Sequence, residues 1–153
     1  MELDEQTKKL IRDSYPKEQI EKWEKEADLG IAESQFQLGK YYYLDDDRKA
    51  FEFFSKAAEK SHPGAFYYLF NCYGNGRGVL QDNDKAMDYL SRSAAMEYGD
   101  AEYMMGMLHV SIGQNMTALD FFSRAMQHGN TDAWEEVKKL VPGIEKNFPD
   151  LPQ

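Results

Sequence analysis

Three segments of the chain repeat one pattern of small, apolar and polar positions. They align without a gap over residues 48–58, 84–94 and 116–126, and each has an alanine at its third position. Apolar side chains follow at intervals of three and four residues, as they do on one face of an α-helix. The pattern therefore predicts the same amphipathic helix three times, and we call it helix B.

A second pattern begins fifteen residues after the alanines of the first two helix B segments. Ala65 and Ala101 are followed by an aromatic residue two positions later and by Leu or Met four positions later, and Ser34 opens an equivalent segment. Positions spaced by four lie on one side of a helix, so each segment is predicted to be a helix A that precedes its helix B. The predicted pairs form three repeats, at residues 32–61, 63–97 and 99–129.

The segments outside the three repeats are predicted to close the array at its ends. Residues 2–30 contain a short helix and a second helix similar to helix B, and they form the N-terminal cap. Residues 131–153 begin with one more helix A and continue as an extended tail with Pro149 and Pro152. No segment has the period of a strand, so we predict one all-α domain of about eight helices over residues 1–153.

Particular motifs in these repeats resemble a known repeat family. They are Leu38-Gly39-Lys40-Tyr41-Tyr42, the glycine-rich loop at residues 74–82, and the Lys-Ala pairs at 49–50 and 85–86. These residues are similar to the Sel1-like repeat, which is related to the tetratricopeptide repeat but has a longer and more variable unit. The resemblance implies an α/α solenoid of about three helix-turn-helix repeats with capping helices at both ends. It also implies a small free-standing bacterial member of that family.

The composition favours a small domain that binds another protein. The 153 residues carry 18 basic and 27 acidic side chains, and the formal net charge is -9. This length corresponds to one domain, and the negative charge repels the phosphate backbone of nucleic acid. We therefore expect a protein partner and no nucleic-acid ligand.

The N-terminus and the cysteine content predict a cytoplasmic protein. Residues 1–6 lack the apolar stretch behind a basic start that marks a secretory signal, and no apolar run approaches the length of a membrane span. Cys72 is the single cysteine and cannot form an internal disulfide. We therefore expect a cytoplasmic location without membrane insertion.

Several motifs resemble ligand sites but lack the spacing that such sites need. The glycines at 74–78 follow a predicted helix rather than a strand, which favours a helix-ending turn over a phosphate-binding loop. The acidic runs at 45–47 and 82–84 lack EF-hand spacing and instead place negative charge at the start of helix B. The three histidines are scattered, and Cys72 has no neighbouring base. We predict no metal, no cofactor and no enzyme activity.

Surplus apolar residues on two helix A segments form the candidate partner-binding site. Residues 66–70 and 103–108 have more aromatic and Met side chains than one packed face can use, and the helix A row lines the concave side of such arrays. Packing in the core of a small array would use the same residues. The predicted anchors are Phe66, Tyr68, Phe70 and Met104. The predicted rim charges, which would steer a basic partner, are Asp45, Asp46, Asp47 and Glu102.

These features predict a protein-protein interaction module. Small free-standing Sel1-repeat proteins resemble those that accompany bacterial toxins, and strong acidity suits the capture of a basic toxin domain. The resemblance therefore implies an immunity protein that binds and neutralises a toxin. The alternative is a scaffold or adaptor in bacterial signalling or envelope assembly, which the same fold serves. The sequence leaves the oligomeric state open.

Overall fold

The computed structural model describes residues 3–146, and this part of the chain is built from nine α-helices and one 3₁₀-helix, without a strand. The helices are α1 (Glu5–Asp13), α2 (Lys17–Asp28), α3 (Ala32–Tyr42), α4 (Asp47–Glu59), α5 (Pro63–Asn75), α6 (Asn83–Ala95), α7 (Gly99–Ser111), α8 (Asn115–Gln127) and α9 (Ala133–Leu140), with the 3₁₀-helix at Ile144–Lys146. The all-α prediction is confirmed. The predicted extended tail with Pro149 and Pro152 lies outside the described residues.

The helices alternate as the sequence pattern predicts. Helices α3, α5 and α7 are the three helix A segments, and α4, α6 and α8 are the helix B segments that follow them. Helix α9 is the additional helix A, and it ends just before Pro142 and Gly143. The α/α solenoid class is therefore correct for this chain.

Two helix B segments begin at the acidic runs that the sequence singled out. The side chain of Asp46 accepts a hydrogen bond of 3.0 Å from the backbone N–H of Lys49, at the start of α4. Asp82 accepts a bond of the same length from the N–H of Lys85 in α6, and this bond lowers the pKa of Asp82 below its ordinary value. Such caps satisfy N–H groups that have no partner within the helix.

Small residues bring helix A and helix B into close contact. Ala50 and Ala118 are fully buried and Ala86 is 3% exposed. A Cβ atom on Gly39 would lie 2.5 Å from a ring carbon of Phe54 in the partner helix. Gly106 has the same relation to Phe122, again at 2.5 Å. Glycine is required at both positions because the phenyl ring occupies the space of a side chain.

A stacked pair of rings joins helix A to helix B in all three repeats. The pairs are Tyr42 on Phe53, Tyr73 on Tyr89 and His109 on Phe121, with centroid separations of 5.6, 5.6 and 5.2 Å and interplanar angles of 3°, 13° and 15°. A cation covers one ring in each case, with Lys49 over Tyr42, Lys85 over Tyr73 and Arg124 over Phe121. The lysines of the Lys-Ala pairs thus contribute cation–π contacts to this repeated stack.

The chain divides into two compact units, Met1–Tyr89 and Leu90–Gln153, and the division falls within α6. In unit 1, α3 packs against α2 and α4, and α4 packs against α5, around a core that contains Phe36, Phe54 and Leu69. In unit 2, α8 packs against α7 and α9, around a core that contains Phe122 and Trp134. The single domain over residues 1–153 stays a prediction.

Candidate interaction surface

The predicted rim aspartates each contact a cation or an N–H group within unit 1. Asp45 forms an ion pair with Arg12 of α1, and Asp46 caps α4. Asp47 pairs with Arg77 from the loop after α5, with 2.6 Å between Nη2 and Oδ1. Neighbouring cations reduce the field that these carboxylates project into solvent. Their steering role stays a prediction, but the structure also gives them a part in joining α1, α4 and the α5–α6 loop.

Arg77 is the residue that connects the α5–α6 loop to the preceding repeat. Its Nε donates to Asp47 at 2.8 Å, its Nη2 donates to the carbonyl of Tyr43 at 2.8 Å, and its guanidinium lies 3.6 Å from the centre of the Tyr43 ring. Burial opposes its charge, but the bond to Asp47 and the neighbouring groups outweigh that cost and raise the pKa of Arg77. Arg77 is therefore a fixed, permanently charged group.

Gly78 permits this loop to approach the start of α4. Its φ is +71°, and a Cβ atom there would lie 2.2 Å from the backbone oxygen of Asp47. Any other residue would combine a strained backbone with a collision against main-chain atoms. Gly76, which ends α5 with a φ of 68°, takes the left-handed conformation that the sequence predicted for a helix-ending glycine.

Each helix A has a small residue near its start, and the residue directly after it is buried in all four copies of the helix. These residues are Gln35, Phe66, Glu102 and Trp134, which are 5%, 2%, 0% and 6% exposed. Phe66, a predicted anchor, and Glu102, a predicted rim charge, are therefore both buried in the chain itself, and their roles in partner binding stay predictions. Phe66 stacks on Tyr89 with 6.0 Å between ring centroids. This position belongs to the packing of the array.

Glu102 is a buried carboxylate with an arginine and a histidine as its polar neighbours in unit 2. Its Oε1 accepts a bond of 3.0 Å from Nε of Arg124, and its Oε2 lies 2.6 Å from Nδ1 of His128. Arg124 and His128 keep 39% and 27% of their side chains exposed, whereas that of Glu102 is fully buried. The pairing compensates for the removal of the carboxylate from water.

The other predicted anchors are partly buried. Tyr68 lies in an aromatic cluster, stacked on Phe54 at 4.6 Å and edge-on to Tyr43 at 5.2 Å. The ring centroids of Phe70 and Tyr67 are 6.1 Å apart. Met104 is half-buried in α7. Tyr68 therefore contributes to the core of unit 1. The roles of all three in partner binding stay predictions.

A cleft of about 630 Å³ opens in unit 1, and none of the predicted anchors is among its described wall residues. We call it the α5 cleft, and its walls include Lys8, Tyr43, Leu44, Asn71, Asn75 and Arg77. The sequence prediction missed this site, because it weighed apolar residues on helix A and not amides. The available signal was the spacing of Asn71 and Asn75, which lie four residues apart on one side of α5.

The asparagine amides of the α5 cleft are oriented by the helix itself. Nδ2 of Asn71 donates to the carbonyl of Tyr67 at 3.1 Å, and Nδ2 of Asn75 donates to the carbonyl of Asn71 at 3.0 Å. Within residues 3–146, neither side-chain oxygen accepts a hydrogen bond. Each amide therefore keeps an acceptor and one N–H donor for a ligand.

Comparison with known proteins identifies the repeats. The model of the Sel1 repeat family matches residues 32–62 and 65–98. The chain carries Sel1 repeats. Sel1 repeats mediate protein-protein interactions, and helices α7 and α8 repeat the glycine–phenylalanine contact and the ring stack of the first matched repeat.

Solved structures share the Sel1-repeat fold. A Sel1 repeat protein from Oxalobacter formigenes is 33% identical, with a TM-score of 0.64 over 74% of this chain and 36% of its own. The protein c5321, a protective antigen of uropathogenic Escherichia coli strains, is 24% identical, with a TM-score of 0.64 over 83% of this chain and 29% of its own. The second likeness supports the fold alone.

Curated relatives are larger proteins. Chitin synthase regulatory factor 3 of Schizosaccharomyces pombe is 28% identical over 53% of this chain and 9% of its own length. Protein SHC1 of Saccharomyces cerevisiae is 31% identical over 51% of this chain and 16% of its own length. The chain thus spans less than a fifth of either protein.

The described residues of the Sel1 array also bear on other kinds of site. Burial raises the pKa of Cys72 to about 12, which keeps its thiol protonated and unreactive. Residues 3–146 contain no group of three or more His, Cys, Asp or Glu side chains placed to hold a metal ion. Over the same residues, no helix is both long and apolar enough to cross a membrane.

Proposed function

We propose that this chain is a protein-interaction module that acts as an adaptor and holds its partner through the α5 cleft. The observation that carries the proposal is the combination in that cleft of oriented amides with spare hydrogen-bonding capacity, a fixed guanidinium and an apolar wall. A rigid site of this kind binds with little loss of side-chain entropy. Two relatives from Schizosaccharomyces pombe are named chitin synthase regulatory factors, and these names support an adaptor role rather than catalysis.

The second candidate is an immunity protein that neutralises a toxin. The net charge of -9 favours it, because an acidic chain attracts a basic domain over long distances and accelerates association. A basic toxin would meet cations in the α5 cleft and would have to bind another face. A toxin gene directly upstream would favour this candidate, whereas an isolated gene would favour the adaptor.

Affinity purification from the source organism, followed by calorimetry with the purified partner, tests the proposal. We expect a protein that binds saturably to the chain and that binds about five- to a hundredfold more weakly to a variant with Asn71→Ala and Asn75→Ala, since each neutral hydrogen bond contributes about 0.5–1.5 kcal/mol. Asn115→Ala, at the exposed start of α8, is the matched control and should bind normally. Absence of any saturable protein partner would refute the proposal.

Two further properties accompany the proposed function. We expect the protein to act in the cytoplasm, which subcellular fractionation of the source cells would test. We also expect no enzymatic turnover, so that partner binding alone accounts for its effect in cells. A partner that leaves the complex chemically altered would contradict this second expectation.

A further inference from the structure

We propose that Asn75 is a modification site, at which deamidation of the side chain places a carboxylate in the α5 cleft. Deamidation replaces the amide NH₂ group by oxygen and consumes only water. Its effect on a partner rests on the proposed function, because Asn75 lines the cleft, whereas the reaction itself needs no partner. Three features of Asn75 support the assignment, namely the residue that follows it, its exposure and its position in the last turn of α5.

The residue after Asn75 leaves its backbone nitrogen accessible. Deamidation begins when the backbone nitrogen of the next residue attacks the side-chain carbonyl carbon of asparagine. Asn75 precedes Gly76, and this is the only Asn-Gly pair in the chain. Glycine has no Cβ, so it neither hinders the attack nor restricts the backbone rotation that the attack needs. Asn71 precedes Cys72, whose side chain hinders the same reaction on the same helix.

The reaction has two steps. In the first, the nitrogen of Gly76 bonds to Cγ of Asn75, the bond from Cγ to Nδ2 breaks, and ammonia leaves with the proton of the Gly76 N–H. The product is a cyclic succinimide. In the second step, water adds to one of the two ring carbonyls and the carbon–nitrogen bond there breaks, which gives aspartate or isoaspartate. Water reaches Asn75 because this residue is exposed.

The closed last turn of α5 protects the amide. Nδ2 of Asn75 donates to the carbonyl of Asn71 at 3.0 Å. The N–H of Gly76 donates to the carbonyl of Cys72. Both reacting groups are therefore engaged with the helix and not with each other. Helix ends open locally at a low free-energy cost, so the reaction takes place in the molecules whose last turn is open.

A bond from the following loop sets how often this turn opens. Nε2 of Gln81 donates to the carbonyl of Gly74 at 2.9 Å, directly before Asn75. A neutral hydrogen bond contributes about 0.5–1.5 kcal/mol, so its loss raises the open fraction by about two- to thirteenfold. The deamidation rate should rise by the same factor, because only open molecules react.

Deamidation changes the α5 cleft at a residue that the proposed function uses. Aspartate has no N–H donor, so the bond to the carbonyl of Asn71 is lost and the side chain only accepts hydrogen bonds. The new negative charge lies at the C-terminal end of α5, where the helix dipole disfavours it. Isoaspartate also adds an atom to the main chain, which breaks the regular geometry of the last turn.

Peptide mapping by mass spectrometry, after warm incubation of the intact protein at mildly alkaline pH, tests the inference. We expect the peptide that contains Asn75 to show the mass of an amide converted to an acid, and to separate into aspartate and isoaspartate forms. Fragment masses should place the change at Asn75, with Asn71 and the exposed Asn115 unchanged over the same period. An intact amide at Asn75, or equal conversion of Asn71, would overturn the inference.

Variants test the control by the last turn. Gln81→Ala should raise the rate at Asn75 about two- to thirteenfold, whereas the exposed Gln127→Ala in unit 2 should leave it unchanged. Asn75→Gln should abolish the reaction, because the longer side chain would have to close a larger and less favourable ring. Urea should accelerate the reaction in the parent protein. Equal rates in the folded and unfolded chain would contradict protection by the helix.

The modification and the proposed function fail in different experiments. The rates are measured without a partner, so an unreactive Asn75 overturns the modification and leaves the binding function as it stands. Asn75→Asp reproduces one product of the reaction, and it should weaken binding of the purified partner by about two- to thirteenfold through loss of one donor. Full affinity of that variant would exclude Asn75 from the binding site, while the measured conversion would still support the modification.

Discussion

The helix pairs α3–α4 and α7–α8 share their contacts but differ in one buried position. In both pairs, a glycine of helix A leaves room for a phenyl ring of helix B, and two rings stack on each other further along the pair. The buried position near the start of helix A is Gln35 in the first pair and Glu102 in the second. The difference teaches that the repeat depends on small residues and rings, while a buried site between them can hold quite different chemistry.

Gln35 and Glu102 have different hydrogen-bond partners. Gln35 donates from Nε2 to the carbonyl of Ala27 at 3.1 Å, and its Oε1 has no hydrogen-bond partner in the described chain. Glu102 is paired with Arg124 and lies beside His128 in unit 2. The two pairs are therefore equivalent in packing and different in electrostatics, and substitutions can separate the two properties.

The largest expected effect comes from removing the shared ring. Phe54→Ala and Phe122→Ala should each lower the free energy of unfolding by about 3–5 kcal/mol, because both rings are fully buried and each leaves a cavity. Urea denaturation measures the loss, and Met116→Ala, at a site 81% exposed, is the control. A large loss for Phe54 with none for Phe122 would show that the two pairs are not equivalent in packing.

Exchanging the chemistry of the two buried polar residues should destabilise the two helix pairs by different amounts. Gln35→Glu should cost about 3 kcal/mol or more at neutral pH, because it buries a carboxylate beside a carbonyl without a cation. Glu102→Gln should cost less, about 1–3 kcal/mol, because the amide still accepts a hydrogen bond from Arg124. Chemical denaturation of both variants beside the parent protein measures the difference.

The effect of pH on Gln35→Glu follows from the sign of its expected pKa shift. Burial disfavours the charged form, so folding would raise the pKa of that carboxyl above its unfolded value. The loss of unfolding free energy caused by Gln35→Glu should therefore be largest above the pKa of this carboxyl in the folded state. It should shrink as pH falls through that pKa toward the unfolded value of about 4.3. A deficit that grows as pH falls would contradict this account.

The glycine contacts should give a smaller and more selective effect. Gly39→Ala and Gly106→Ala should each destabilise the chain by about 1–3 kcal/mol, because the new methyl group overlaps a buried ring. Gly74→Ala is the matched control, since a Cβ there meets only Ala86 at an ordinary 3.9 Å. The control should be neutral or stabilising by up to about 1 kcal/mol, because alanine is the better helix former. Thermal melts that rank Gly74→Ala below the other two would contradict the contact.

The smallest perturbation uses Cys72 as a reporter of unit 1. Its pKa of about 12 and its burial predict that thiol reagents hardly react with the folded protein at pH 8. The rate of modification in rising urea should follow the opening of unit 1, whereas hydrogen exchange in α8 follows that of unit 2. Coincident midpoints would indicate cooperative unfolding of both units, and rapid modification without urea would contradict the burial of the thiol.

The sequence identified the features that depend on neighbours along the chain. Helix A and helix B follow from apolar spacing, and the aspartates that cap helix B are adjacent in sequence to the N–H groups they satisfy. The recurring Ala50 and Ala118 also indicated close helix contacts, because their register holds across the repeats. These properties are local, so one sequence was enough to predict them.

The tertiary structure decided which side of helix A is covered. Phe66 and Glu102 were predicted as binding residues and are 2% and 0% exposed, because repeat periodicity defines the register of a helix face but not which neighbouring helix covers it. The contact of Arg77 with Asp47 joins residues thirty positions apart and depends on the course of a loop. The α5 cleft likewise requires α1, the loop after α3 and α5 to lie side by side. Such long-range placement is set by packing, which the spacing of residues along the chain does not encode.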